Sequence, residues 1–546
     1  MSKLNLTKTG LAHPWPKDYK LPSFNIEAMK AATSKAPTWL HIGAGNIFRI
    51  LVAGLQQDLL EAGHTDTGIV VYESYDEGII PASFAPYDNL TLAVTLNADG
   101  SVAKEVIASI ADAFDSDLTR LTETITQPSL QLISLTITEK GYTVNEENIC
   151  PSPDEAKTAM EQVTAGLFAR FKAGAPPLAL VAMDNFAENG TKVSAATLAI
   201  ATAWHKSGKA PADFIQYVKT QAYPWTMIDK ITPSPSPAIA ELLAADGYTA
   251  TQITQTPKNT TIASFVNAEG PQYLVIEDNF PNGRPPLEKT VGRGVYLTDQ
   301  ETVKKADQMK VCACLNPLHT VLGACGTLLG YPTIAACMQD KRLVAFINAA
   351  AAEAMPTVVN PVIIDPQAFL TEVVTKRFPN PFIPDTPERI NADASQKIPV
   401  RFGETLKARK AAGLGLTELE AIPRFIALWL RYRIAIDDKG AEMPLSPDPR
   451  LPEAVKPLEQ LQLGQVNTGG ARTDTGTDTD TGNSTDIDTD TSGIDLAPIL
   501  SDAEIFGIDL YAAGLADKIQ EAFHQLATEP GAVSRLLDQW YGTAGK

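Results

Sequence analysis

At 546 residues, 44% of them apolar and 20% charged, the chain can hold two large domains or three small ones with buried cores, which excludes wholesale disorder. A formal charge of −19, from 45 basic and 64 acidic residues with no basic run, argues against nucleic acid or an anionic membrane as a partner. No run reaches the roughly 18 uninterrupted apolar residues of a membrane span, the N-terminus lacks a signal-peptide core, and five cysteines do not make a disulfide framework, so a cytoplasmic protein is expected.

Along the first half, short runs rich in β-branched residues alternate with amphipathic stretches. Thr38–Ile42 reads as a strand that runs into Gly43-Ala44-Gly45. Ile47, Leu51, Leu55 and Leu59, with Phe48 and Val52, then recur at helical spacing up to Gly63. Gly68–Tyr72, Leu132–Ile137 and Leu178–Met183 read as further strands. Near-continuous apolar strands separated by helices predict a doubly wound, mostly parallel sheet, that is, an α/β Rossmann-type domain over residues 1–300. From about Val303 the pattern turns helical, with long apolar-periodic segments at 303–330, 340–356, 416–436 and 510–541. Residues 301–546 are therefore expected to form a mainly α-helical domain. Within it, 466–495 carries seven Asp and one Arg, which is −6 of the −19, in a Thr/Asp/Gly-rich stretch with almost nothing to bury. That composition predicts a disordered insertion, and its Asp spacing lacks the calcium-loop pattern.

Gly43-x-Gly45 between a strand and a helix is the setting of a dinucleotide fingerprint. Glycines allow a tight turn and a close approach to pyrophosphate, and the free amides of Gly45, Asn46 and Ile47 at the helix start favour negative charge. Phe48 stands where the third glycine of the pattern would be. Glu73 follows the second strand, where a carboxylate can accept from ribose hydroxyls, with Asp76 as the alternative. No Lys or Arg occurs from Gly68 to Asn89, so NAD is expected rather than NADP.

In the helical half, Lys310, Asn316 and His319 lie in an otherwise apolar segment. Buried polar side chains need partners. A lysine in such surroundings suits general acid/base work at a carbonyl–alcohol centre, although a snorkelling lysine and a satisfied core histidine fit the same pattern. Cys312, Cys314, Cys325 and Cys337 cluster nearby without paired metal-ligand spacing, which points to buried thiols rather than a metal site.

Lys310…Asn316-x-x-His319 resembles the Lys–Asn–His signature of the polyol-specific long-chain dehydrogenases, the mannitol dehydrogenase family. Thr136–Tyr142, Met183–Gly190, Met227–Pro233, Glu277–Arg284, Arg377–Pro381 and Glu504–Leu510 resemble further blocks of that family, in its order, from about residue 37 onward. The resemblance implies zinc-independent hydride transfer between NAD(H) and a polyol or ketose-type carbon. It makes Lys310 the acid/base, has Asn316 and His319 polarise the reacting oxygen, and lines the substrate pocket with Asn185, Asp229 and Arg377. The family usually has four residues between Lys and Asn, and here there are five. On a regular helix the extra residue turns Lys310 by about 100°, which a π-bulge would absorb. Without one, Lys304 and Lys305 are the poorer substitutes.

The wording of the blocks is nearer the ketouronate-reducing branch, the fructuronate reductase or mannonate oxidoreductase type, with tagaturonate reductase and mannitol-type polyol dehydrogenases as alternatives. A carboxylate-bearing substrate needs local cations, and Lys376, Arg377, Arg389, Lys397 and Arg401 supply them. The expected partner is a small sugar acid or polyol. The displaced lysine leaves a catalytically weak NAD-binding scaffold as the contrasting possibility.

Overall fold

The computed structural model describes residues 4–464 and 494–542. The expected insertion at 466–495 therefore lies outside the described residues, apart from Ile494 and Asp495. The chain divides into two compact units, Met1–Asp307 with Pro361–Ile363, and Gln308–Asn360 with Ile364–Lys546. The division falls after Asp307 rather than at 300/301, inside the helix Gln300–Met309 instead of before it.

In the first unit, five strands form the main sheet: Trp39–Ile42, Ile69–Glu73, Ile110–Asp115, Leu132–Leu135 and Ala179–Ala182. Counted along the chain they lie in the order third, second, first, fourth, fifth, with every neighbouring pair parallel. Side chains alternate between two cores. Trp39, Val71, Leu132 and Val181 enter one, and Leu40, Tyr72, Ile133 and Leu180 the other. This is the period-two signature of a sheet covered on both faces, and it places the switch point between Trp39–Ile42 and Leu132–Leu135.

The sequence pattern did not foresee the rest of the β structure. Tyr19–Lys20, Val102–Ile107, Thr91–Leu96 and Phe265–Glu269 form a second, mixed sheet, and Thr226–Asp229, Tyr273–Glu277 and Val295–Thr298 a third. Fully buried Arg49, just after the glycine turn, ties its segment to the second sheet and to the residues that precede Phe265. Its guanidinium donates to Thr91 Oγ1 at 3.1 Å and to the carbonyls of Ala263 at 2.8 Å and Ser264 at 3.2 Å. Burial lowers its pKa to about 10, and neutral oxygens rather than a carboxylate satisfy it.

The described residues of the second unit contain helices and no strand. Ala421–Tyr432 is a core helix of this unit, buried at every residue except Arg424. Its amino end is capped from afar, because the Glu353 carboxylate accepts the amides of Glu420, Ala421 and Ile422 at 2.6, 2.7 and 2.9 Å. The apolar stretch 510–541 resolves into two helices, Ala516–Leu526 and Ala532–Tyr541. Pro530 and Gly531 separate them, and Gly531 has a φ of +84° that suits a turn rather than a helix. By length and composition Gln300–Leu329 is apolar enough to cross a membrane, but 78% of its most apolar window is buried in the fold, as a core helix would be.

Candidate active site

The glycine turn sits at the carboxyl end of the first strand. Gly43 has a φ of +103°, and a Cβ there would lie 2.3 Å from the Thr136 carbonyl, so only glycine fits. A Cβ on Gly45 would meet no atom within 4 Å, so the helix entrance opens onto free space. Asn46 Oδ1, just inside that entrance, is buried without a hydrogen-bond partner among the described residues. First-turn amides have no acceptor within their own helix. Open space and free amides together fit a bound pyrophosphate, whereas Asn46 Oδ1, an acceptor, calls for a donor such as a hydroxyl.

Two departures from the usual fingerprint have physical reasons. Phe48, in place of the third glycine, lies flat on His41 of the first strand, with ring centroids 4.2 Å apart. The helix opens there into a π-turn, Phe48–Val52, before the α-helix Ala53–Glu61. His41 is held by the Ser134 hydroxyl at 2.6 Å and the Thr136 hydroxyl at 2.9 Å, and burial lowers its pKa to about 3, so it stays neutral.

Glu73 is 6% exposed and already engaged. Oε2 accepts the Ala44 amide at 2.7 Å, and Oε1 accepts those of Tyr75 at 2.9 Å and Asp76 at 3.1 Å. A carboxylate has about four acceptor positions, so one remains for a ribose hydroxyl. Asp76 is tied to a neighbouring hairpin through the hydroxyls of Thr256 and Thr260, both at 2.6 Å, which makes it a structural carboxylate.

The motif blocks of the first unit meet at the same edge of the sheet. Asp184 accepts from the amides of Ile137 at 2.8 Å and Thr138 at 3.1 Å, and from the Tyr142 hydroxyl at 2.8 Å. Asn189 donates to Thr226 Oγ1 at 2.8 Å and accepts the Thr226 amide at 2.9 Å. These bonds fix the loop that carries exposed Asn185 and the strand whose last residue is buried Asp229. Neither Asp184 nor Asn189 stood out in the sequence, although both lie in the block 183–190.

In the second unit, Lys310 opens a widened turn. Lys310–Cys314 is a π-turn, closed by the Leu315 amide on the Lys310 carbonyl at 3.1 Å. Thr405 Oγ1 donates to the Cys312 carbonyl within that turn at 3.0 Å. Lys310 is 1% exposed, whereas Lys304 and Lys305 are surface residues in ion pairs with Glu188 and Glu301. Asn316 and Pro317 open the next helix, Asn316–Leu329, on which His319 lies one turn further.

His319 Nε2 is 2.9 Å from Asp385 Oδ2, an electrostatic contact outside hydrogen-bond geometry, so this buried nitrogen has no hydrogen-bond partner among the described residues. Burial lowers the His319 pKa against the pull of Asp385. Burial alone would raise the Asp385 carboxyl, but His319 and Arg389 outweigh it and hold the group at about 2. Asp385, which the sequence did not single out, thus orders both His319 and Arg389. All five cysteines are free, and the Cys314 thiol points to the Pro366 carbonyl at 3.7 Å.

Residues 37–289 match the mannitol dehydrogenase Rossmann domain and residues 302–468 the mannitol dehydrogenase C-terminal domain. The chain is 44% identical over 538 residues to D-mannonate oxidoreductase of Thermotoga maritima, covering 95% of each chain. The chain belongs to the mannitol dehydrogenase family. Two solved structures of similar fold are a substrate-free D-sorbitol dehydrogenase, with a TM-score of 0.74, 22% identity and 99% of both chains covered, and the Pseudomonas fluorescens mannitol 2-dehydrogenase ternary complex with NAD and D-mannitol. The latter has a TM-score of 0.67 and 25% identity, and covers 98% of this chain and 100% of that one. As a member of the mannitol dehydrogenase family, the protein is an oxidoreductase of CH–OH groups built from a Rossmann-type domain and a helical domain.

Proposed function

We propose that the protein interconverts a ketouronate and an aldonate of the D-fructuronate/D-mannonate type, using NAD(H) and no zinc. The observation that carries this reading is the similarity along nearly the whole length of both chains to a protein named D-mannonate oxidoreductase. Gly43, Gly45, Asn46, Ile47 and Phe48 hold the pyrophosphate end of the cofactor, and the spare acceptor position of Glu73 takes a ribose hydroxyl. When bound, NADH supplies the hydride for reduction and NAD+ takes it up in oxidation.

The chain's own residues handle the oxygen and its proton. In reduction the Lys310 ammonium gives a proton to the oxygen of the ketone as it becomes an alkoxide, and in oxidation the neutral amine removes the hydroxyl proton. Asn316 and His319 direct their dipoles at that oxygen and lower the barrier without reorganising. Asn185, Asp229, Arg377 and Lys397 hold the remaining hydroxyls and the acid group. The π-turn at Lys310–Cys314 supports the lysine assignment, since it takes up one residue without rotating what precedes it.

NADH oxidation measured in parallel with D-fructuronate, D-tagaturonate and D-fructose tests the reading. Turnover of a ketouronate with little of fructose is expected, and turnover of fructose alone would move the assignment to a polyol dehydrogenase. Lys310→Ala is expected to lower kcat by about 10²–10⁴ with NADH still bound. Retained turnover would remove Lys310 from its role, and NADH binding without turnover in the unaltered protein would make it a scaffold.

A further inference from the structure

The structure sorts the five cations of 376–401 by their partners. Lys376 is exposed, and Arg377 is buried among contacts of its own. Arg389 is spent on Asp385, to which Nε and Nη2 both reach at 2.7 Å. Lys397 and Arg401 remain, half-buried, four residues apart, and each bonded only to neutral oxygens among the described residues. Lys397 Nζ donates to the carbonyls of Ile390 and Ala392. Arg401 Nη1 donates to Thr320 Oγ1 at 2.6 Å and, more weakly, to the Asn316 carbonyl at 3.5 Å.

Two like charges at this spacing repel, and partial burial adds to the cost. A chain with 64 acidic residues nevertheless brings no carboxylate of its described residues into hydrogen-bond contact with either. The bond to Thr320 fixes Arg401 beside His319 and leaves Nε and Nη2 without a hydrogen bond among the described residues. Those two donors form the guanidinium edge that binds a carboxylate through two parallel bonds.

We infer that Lys397 and Arg401 form the seat of the substrate's carboxylate, with the Nε–Nη2 edge of Arg401 as its specific contact. This rests on the aldonate–ketouronate reading above and adds the element that distinguishes such substrates from neutral polyols. In a D-fructuronate/D-mannonate pair the carboxylate lies at the far end of the six-carbon chain from the reacting ketone. The seat therefore has to stand beside the oxygen-polarising residues rather than on them, and Thr320 sets Arg401 one residue beyond His319.

The test follows D-mannonate oxidation and D-mannonate binding in the full chain for the unaltered protein, Arg401→Met, Arg401→Lys and Lys397→Met, with thermal unfolding as the check on folding. The KM and Kd for D-mannonate should rise about 30-fold or more in Arg401→Met, less in Lys397→Met, and recover in part in Arg401→Lys, with NAD+ affinity held. A folded Arg401→Met protein with the original KM overturns the seat. If that variant does not fold, Lys397→Met decides by the same measure, and an unchanged KM again overturns it. Absence of aldonate and ketouronate turnover in the unaltered protein overturns the proposed function and the seat together, whereas turnover with insensitive variants overturns the seat alone.

Discussion

Glu73 Oε2 accepts the amide proton of Ala44 at 2.7 Å, so the end of the second strand holds the middle residue of the glycine turn. The carboxylate thereby shapes the turn and has one acceptor position left open. Glu73→Ala leaves the amides of Ala44, Tyr75 and Asp76 without this acceptor. It is expected to cost about 1–3 kcal/mol of stability in urea unfolding and to weaken NADH binding about tenfold or more. Unchanged stability together with unchanged NADH affinity would show that the carboxylate does neither.

The two glycines of the turn should fail in different ways. Gly43→Ala forces a Cβ to 2.3 Å from the Thr136 carbonyl at a φ of +103°, so it should lower stability by about 1–3 kcal/mol or more. Gly45→Ala adds its methyl to open space, leaving the melting temperature nearly unchanged while NADH affinity falls about tenfold. Equal loss of stability in both would mean that the space at Gly45 is not a ligand cradle.

Asp385 links acid stability to the site. Its folded-state pKa of about 2 is below the ordinary carboxylate value, so its contribution is complete above pH ~4 and disappears as pH falls towards 2. Asp385→Asn should therefore be less stable by about 2 kcal/mol at neutral pH, with the gap from the unaltered protein closing between about pH 4 and 2. Urea midpoints at those pH values measure it, and a gap that stays constant with pH would discount the contacts with His319 and Arg389.

Lys397 gives a limb at the alkaline side. Burial first, and then the charge of Arg401, lower its pKa to about 8, with Arg389 adding to this and Asp393 and Asp448 opposing it. It is a cation below that pH and neutral above it, so the KM for D-mannonate should climb as pH rises through about 8. Lys397→Arg keeps its charge and should flatten the climb. A KM profile identical in the two proteins would separate Lys397 from anion binding.

Much of the first unit was legible in the sequence because buried parallel strands leave continuous apolar runs, and because a glycine pair after such a run has few other uses. Trp39–Ile42, Leu132–Leu135 and Ala179–Ala182 fall inside the runs that predicted them. The second sheet was not legible. Thr91–Leu96 and Val102–Ile107 mix polar with apolar residues, and their pairing with Phe265–Glu269 joins positions far apart in the chain. At the site, the residue types and their order were visible, whereas the bonds that set them were not.

The sequence by itself determined the family, the alternation of strand and helix, and the glycine turn, because these depend on residue type and local spacing. Only the tertiary structure decided that Glu73 shapes the turn it was expected to serve, that Asp385 orders His319 and Arg389, and that Lys397 and Arg401 are bonded to neutral oxygens rather than to a carboxylate. The reason is physical. A charged group's role depends on which partner reaches it in space, and the partners here stand 29 residues apart for Glu73 and Ala44 and 81 apart for Arg401 and Thr320.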